Sequence, residues 1–115
     1  MLRIDETRRG SAIVLSLEGR LDTETSKTLE ARWTELIEQR GRGFVVECSG
    51  LAYISSAGLR VFLLAAKQLK DPPGRIVVCG LSDHIGQLFS ITGFSKMFSV
   101  HASLEEALAA LEGAS

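Results

Sequence analysis

Phe44-Val45-Val46-Glu47-Cys48-Ser49-Gly50-Leu51-Ala52-Tyr53-Ile54-Ser55-Ser56-Ala57-Gly58-Leu59-Arg60 carries the chain from a strand, through a loop, into a helix. Phe44 to Cys48 is a short β-rich run of the kind buried in the middle of a sheet, and Ser49-Gly50 reads as the break that ends it. Beyond the loop, Leu59, Val61, Phe62, Leu63, Ala65, Ala66 and Leu69 form an apolar arc wider than one helical face. A largely covered helix follows from that arc, opening at Ser55-Ser56 and ending before Asp71-Pro72-Pro73-Gly74.

Toward the N-terminus, Leu2, Ile4 and Glu6 alternate with Arg3, Asp5 and Thr7, and Arg9-Gly10 supplies a turn. Ile13, Leu15 and Leu17 then resume the period of two, which predicts a β-hairpin. Asp22-Thr23-Glu24-Thr25-Ser26 offers several N-cap oxygens. Leu29, Trp33, Leu36 and Ile37 recur at helical spacing until Gly41, so the first helix is expected to reach about Arg40.

Toward the C-terminus, Arg75 to Cys79 reads as another central strand, and Asp83 caps a helix that carries Ile85, Leu88, Phe89 and Ile91 and closes at Thr92-Gly93. Met97 to Val100 is a short strand. Ser103 and Glu106 form a capping-box pair that opens a last helix with Leu104, Leu108 and Leu111. The order is β-β-α-β-α-β-α-β-α. Strands joined through helices favour crossover connections, so an α/β fold with a mixed sheet of four or five strands and about four helices is expected.

A chain of 115 residues is the size of one domain, and residues 1–115 are read as such. With 45% apolar and 23% charged residues and a net charge of -1, the chain has no general attraction for nucleic acid or anionic membranes. Arg8-Arg9 and Arg40 with Arg42 are short basic groups without interleaved aromatics, so nucleic acid is not an expected partner. The longest apolar stretches, such as Val61 to Ala66, fall far short of the roughly 18 residues of a membrane span. The charged, alternating N-terminus is unlike a signal peptide, so a cytoplasmic chain is expected. No coiled-coil heptad or long apolar strand predicts an oligomer, and a monomer is expected. Cys48 and Cys79 each end a strand-type run and read as small buried hydrophobes.

Catalytic chemistry has little to stand on. His84 and His101 fit no metal or triad pattern and read as surface or capping residues. There is no His-Glu-x-x-His, no Cys-x-x-Cys, no phosphate loop and no nucleophile elbow. A non-enzymatic chain without a cofactor of its own is expected.

Ser55 and Ser56 are the informative residues. A serine at a helix start accepts from the free backbone N–H groups there while its hydroxyl stays near the surface. A mere N-cap is one reading of the pair; phosphorylation is the other. A phosphate adds about -1.5 to -2 charges, which the positive end of a helix tolerates. A partner docked over the same helix would have to desolvate or oppose that charge, and a penalty of about 3 kcal/mol weakens binding more than a hundredfold.

At these residues the chain resembles the STAS domains, and among them the stand-alone anti-sigma factor antagonists of bacteria. The resemblance is carried by Gly19-Arg20-Leu21-Asp22, Val45-Val46-Glu47, Ser49-Gly50-Leu51, Tyr53 to Val61, Gly80-Leu81 and the stretch ending Thr92-Gly93-Phe94. It implies a single STAS-type domain, with helices along one side of the sheet, that acts in a partner switch. Unphosphorylated, such a protein binds an anti-sigma factor that is also a serine kinase of the histidine-kinase-like ATPase type, freeing the sigma factor. Phosphorylation releases it and a serine phosphatase restores it; the ATP and magnesium belong to the kinase.

Two departures bear on the acceptor. Many members carry the phosphorylated residue directly before the Gly-Leu pair, where this chain has Ala57, and their acidic residue two places earlier falls on Ser55. The acceptor is then Ser56, shifted by one, with Ser55 second, or the domain is an unphosphorylated, constitutive STAS-type subunit of a transport or signalling complex. The resemblance places Asp22, Thr23, Ser49, Gly50, Tyr53, Ile54, Ala57, Gly58, Leu59 and Arg60 on the partner-facing surface. Asp22 matches the family's acidic position there and serves equally as a helix cap.

Overall fold

The structure is a computed structural model that describes residues 1–70 and 74–113. The strands β1 (Leu2–Arg9) and β2 (Ala12–Leu21) form the expected hairpin. Three further strands, β3 (Gly43–Ile54), β4 (Arg75–Cys79) and β5 (Ser99–His101), join in parallel to complete a mixed sheet of order β1-β2-β3-β4-β5. The helices are α1 (Thr23–Glu38), α2 (Ser56–Gln68), α3 (Asp83–Ile91), α4 (Phe94–Met97) and α5 (Leu104–Gly113).

Alternation along the strands divides the apolar residues between two layers. Ile13, Leu15 and Leu17 of β2, Phe44, Val46 and Cys48 of β3, and Ile76 and Val78 of β4 face α1, α2 and α3. At the centre of that layer Phe62 is fully buried and meets Trp33, Phe89 and Phe98 edge-on, with ring centroids 5.4, 5.7 and 5.9 Å away. Such pairs add about 0.5–1.5 kcal/mol each beyond the area they bury, and here they join α1, α2 and α3 through one side chain.

The helices do not all lie along one side, as the family resemblance had implied. Ala12, Val14, Val45, Val77 and Cys79 point to the opposite face, where Ala107 and Leu108 of α5 cover them. The reason lies in β4, whose Ile76, Val77, Val78 and Cys79 are all buried. A strand that is apolar on both faces needs cover on both. Cys48 and Cys79 are free and buried in different layers. Burial pushes both thiols up, that of Cys79 to about 11.

Two other expectations are corrected. Ser49-Gly50 does not end the third strand and residues Ser49 to Ile54 are not a loop, since β3 runs on to Ile54. Past Glu47 it has lost β4 but still pairs with β2, from Glu18 opposite Gly50 to Leu21 opposite Ile54, and irregularities in the register absorb the mismatch. The short strand read at Met97 to Val100 is shifted to Ser99–His101, because Phe94–Met97 forms the single-turn α4, a helix additional to the expected four. Gly93 makes that turn possible with φ at 82°, and Phe94 then packs on Phe89 and Phe98. The breaker Asp71-Pro72-Pro73 lies outside the described residues.

Candidate functional site

The parallel register of β2 and β3 builds the site. Leu21 pairs with Ile54, and the N–H of Ser55 donates to the Leu21 carbonyl at 2.9 Å. The strands therefore end together. Each is followed at once by a helix cap, Asp22 for α1 and Ser55 for α2, so two helices leave the same end of the sheet with their N-termini adjacent.

Asp22 is engaged through one carboxylate oxygen and its backbone N–H. Its Oδ1 accepts from the N–H of Glu24 at 3.1 Å and of Thr25 at 2.9 Å, and its own N–H donates to Thr25 Oγ1 at 2.9 Å, closing a capping box. The Thr25 N–H and then the Thr25 hydroxyl hold the Asp22 carboxyl below its usual range.

Ser55 and Ser56 differ in what their side chains engage. Ser55 is extended, with φ at -93° and ψ at 172°, and its Oγ accepts from the Gly58 N–H at 3.2 Å, so it is the cap. Ser56 is the first helical residue; its side chain is exposed and makes no hydrogen bond among the described residues. The N–H groups of Ser56 and Ala57 precede the first intrahelical bond, that of Leu59 to the Ser55 carbonyl, and so have no carbonyl within the helix to receive them. A free hydroxyl thus sits at the positive end of α2.

Between the helix starts lies an open groove of about 540 Å³. Thr23, Ser56, Ala57 and Arg60 line it, together with Lys27 and Glu30 of α1 and Leu64 of α2, which the sequence did not single out. Lys27 and Glu30 carry a weak sequence signal, lying one and two turns beyond Thr23 on the same face of α1, but nothing in the sequence says that α2 stands opposite that face.

The remaining expected residues are distributed differently. Tyr53 is half-buried beneath the Arg20 guanidinium, whose carbon lies 4.1 Å from the ring centroid. Ser49 and Gly50 are exposed, on the order of 15–20 Å back along β3 at the rise of an extended chain. Ser49 is held by Glu47, donating its hydroxyl to Oε1 at 2.8 Å. Ile54 and Gly58 are buried and Leu59 packs against the core, so these three position the surface from beneath. A Cβ on Gly58 would lie 2.8 Å from Leu21 and 2.9 Å from Ile54. That glycine lets the start of α2 seat directly on the strand ends.

The pattern characteristic of the STAS domain matches residues 3–107, and with it the capped helix starts and the sheet that carries them. The chain belongs to the STAS domain family. This STAS domain is 39% identical over 102 residues to BtrV of Bordetella bronchiseptica, spanning 89% of this chain and 88% of that protein. It is 30% identical over 104 residues to the anti-sigma-B factor antagonist of Staphylococcus aureus, spanning 90% of this chain and 96% of that one. The crystal structure of an anti-sigma factor antagonist from Mycobacterium paratuberculosis has the same fold, with a TM-score of 0.89 over 97% of this chain and 95% of that one, at 20% identity. No helix among the described residues of this STAS domain is long and apolar enough to cross a membrane.

Proposed function

We propose that this STAS domain is an anti-sigma factor antagonist that works by partner switching, with Ser56 as its phosphoacceptor. Unphosphorylated, it binds an anti-sigma factor that is itself a serine kinase of the histidine-kinase-like ATPase type. Phosphorylation of Ser56 breaks that complex, and a serine phosphatase reverses it. The kinase supplies ATP and magnesium; this chain supplies the hydroxyl.

One observation carries the choice of acceptor. Ser55 spends its hydroxyl oxygen on the Gly58 N–H, whereas the Ser56 hydroxyl is exposed and unbonded one residue later. A kinase reaches the second without disturbing the fold, and the phosphate then lies beside N–H groups that the helix leaves free. Asp22, Thr23, Ala57 and Arg60 form the adjoining contact surface, which Tyr53, Ser49 and Gly50 extend along β3.

Peptide mass spectrometry after incubation with ATP, magnesium and the partner kinase tests this reading. One phosphate is expected on Ser56, present in Ser55→Ala, absent in Ser56→Ala, and accompanied by loss of kinase binding. Stable binding without any phosphate would overturn it in favour of a constitutive STAS-type subunit.

A further inference from the structure

We infer that the groove between α1 and α2 is a built-in receptor for the phosphate on Ser56, with Arg60 and Lys27 as the receiving cations; the inference rests on Ser56 being the acceptor. Both side chains line the same groove as Ser56. Arg60 lies on α2 at i+4 from Ser56, on the helix face that Ser56 also occupies. Lys27 approaches from α1, across the groove. Among the described residues neither makes an ion pair. Glu30 is the carboxylate that lines the groove with them.

Before modification the groove therefore presents two uncommitted cations and one carboxylate, a surface suited to acidic groups on the partner. A phosphoserine carries about -1.5 to -2 charges at neutral pH and three strong acceptor oxygens. Placed on Ser56, it takes Arg60 from its own helix and Lys27 from the neighbouring one. Phosphorylation then acts twice: it adds charge to the docking surface and withdraws from the partner the cations that had been on offer. It also ties the two helix starts together.

The test uses the full chain with phosphoserine installed at position 56 by genetic-code expansion, so no kinase is involved. The probe is the phosphorus NMR shift followed through the second phosphate ionisation, near pH 6 for a free phosphoserine. Two facing cations are expected to lower that midpoint by about half to one pH unit relative to the same chain with both removed, K27Q/R60Q, and each single substitution is expected to account for part of the change. The helix end contributes equally in all four proteins and cancels. An identical midpoint in the parent and K27Q/R60Q overturns the inference. A shift in R60Q with none in K27Q overturns its cross-helix part. A kinase that leaves Ser56 unmodified would instead overturn the proposed function, and the titration would stand.

Discussion

The starts of α1 and α2 lie side by side and are built differently. Asp22 closes a capping box with Thr25 three residues on, so its carboxylate and its N–H are both engaged. The residue three beyond Ser55 is Gly58, which has no side chain to return the bond. It has none because Leu21 and Ile54 occupy the space a Cβ would need. Ser55 makes a single capping bond, and its own N–H goes to the Leu21 carbonyl. One helix start is closed by its own side chains; the other is fixed from below by the strand ends, leaving Ser56 and two N–H groups unengaged. A start held from beneath can keep its outer surface free for modification.

The sharpest way to break this contrast is to give α2 the capping-box residue it lacks. Local rules make Gly58→Thr favourable, since threonine is the residue α1 uses and glycine is a poor helix former. The packing against Leu21 and Ile54 predicts the opposite, a loss of about 1–3 kcal/mol on urea unfolding. Stabilisation by this change would show that α2 is not held from below. Next in size are the caps. Ser55→Ala is expected to lose about 1 kcal/mol, and Asp22→Ala more than that in the same experiment, because it removes several bonds against one.

The charge on Asp22 gives a smaller, pH-dependent effect. Its folded carboxyl ionises below its unfolded one, so the associated stability is present above about pH 4 and is lost as the pH falls through the folded value. Urea midpoints measured between about pH 5 and pH 2 should therefore fall more steeply in the parent than in Asp22→Asn. Ser56→Ala is expected to have the smallest effect on stability, within about 0.5 kcal/mol, because its exposed side chain makes no hydrogen bond among the described residues. A loss as large as that of Ser55→Ala would mean the two serines share the cap.

Much of this was legible along the chain. The hairpin follows from Leu2, Ile4, Ile13, Leu15 and Leu17, the start of α1 from the oxygens at Asp22 to Ser26, and the central strands from Phe44 to Cys48 and Ile76 to Cys79. These signals come from the local period of side chains and from capping chemistry. Ser49-Gly50 misled because local turn propensity yields to a partner strand that continues, and β2 does continue to Leu21. Likewise, the apolar run Ile76 to Cys79 marked a central strand, but not that the last helix would cover the second face of the sheet.

The sequence by itself determined the fold class, the order of the elements apart from α4, the family, and the presence of two serines at a helix start, because periodicity, caps and motifs are properties of neighbouring residues. Which serine caps and which stays free, why residue 58 is a glycine, and which α1 side chains face Arg60 were decided only by the tertiary structure. Each depends on the parallel pairing of Leu21 with Ile54, which brings together segments that share no local sequence signal.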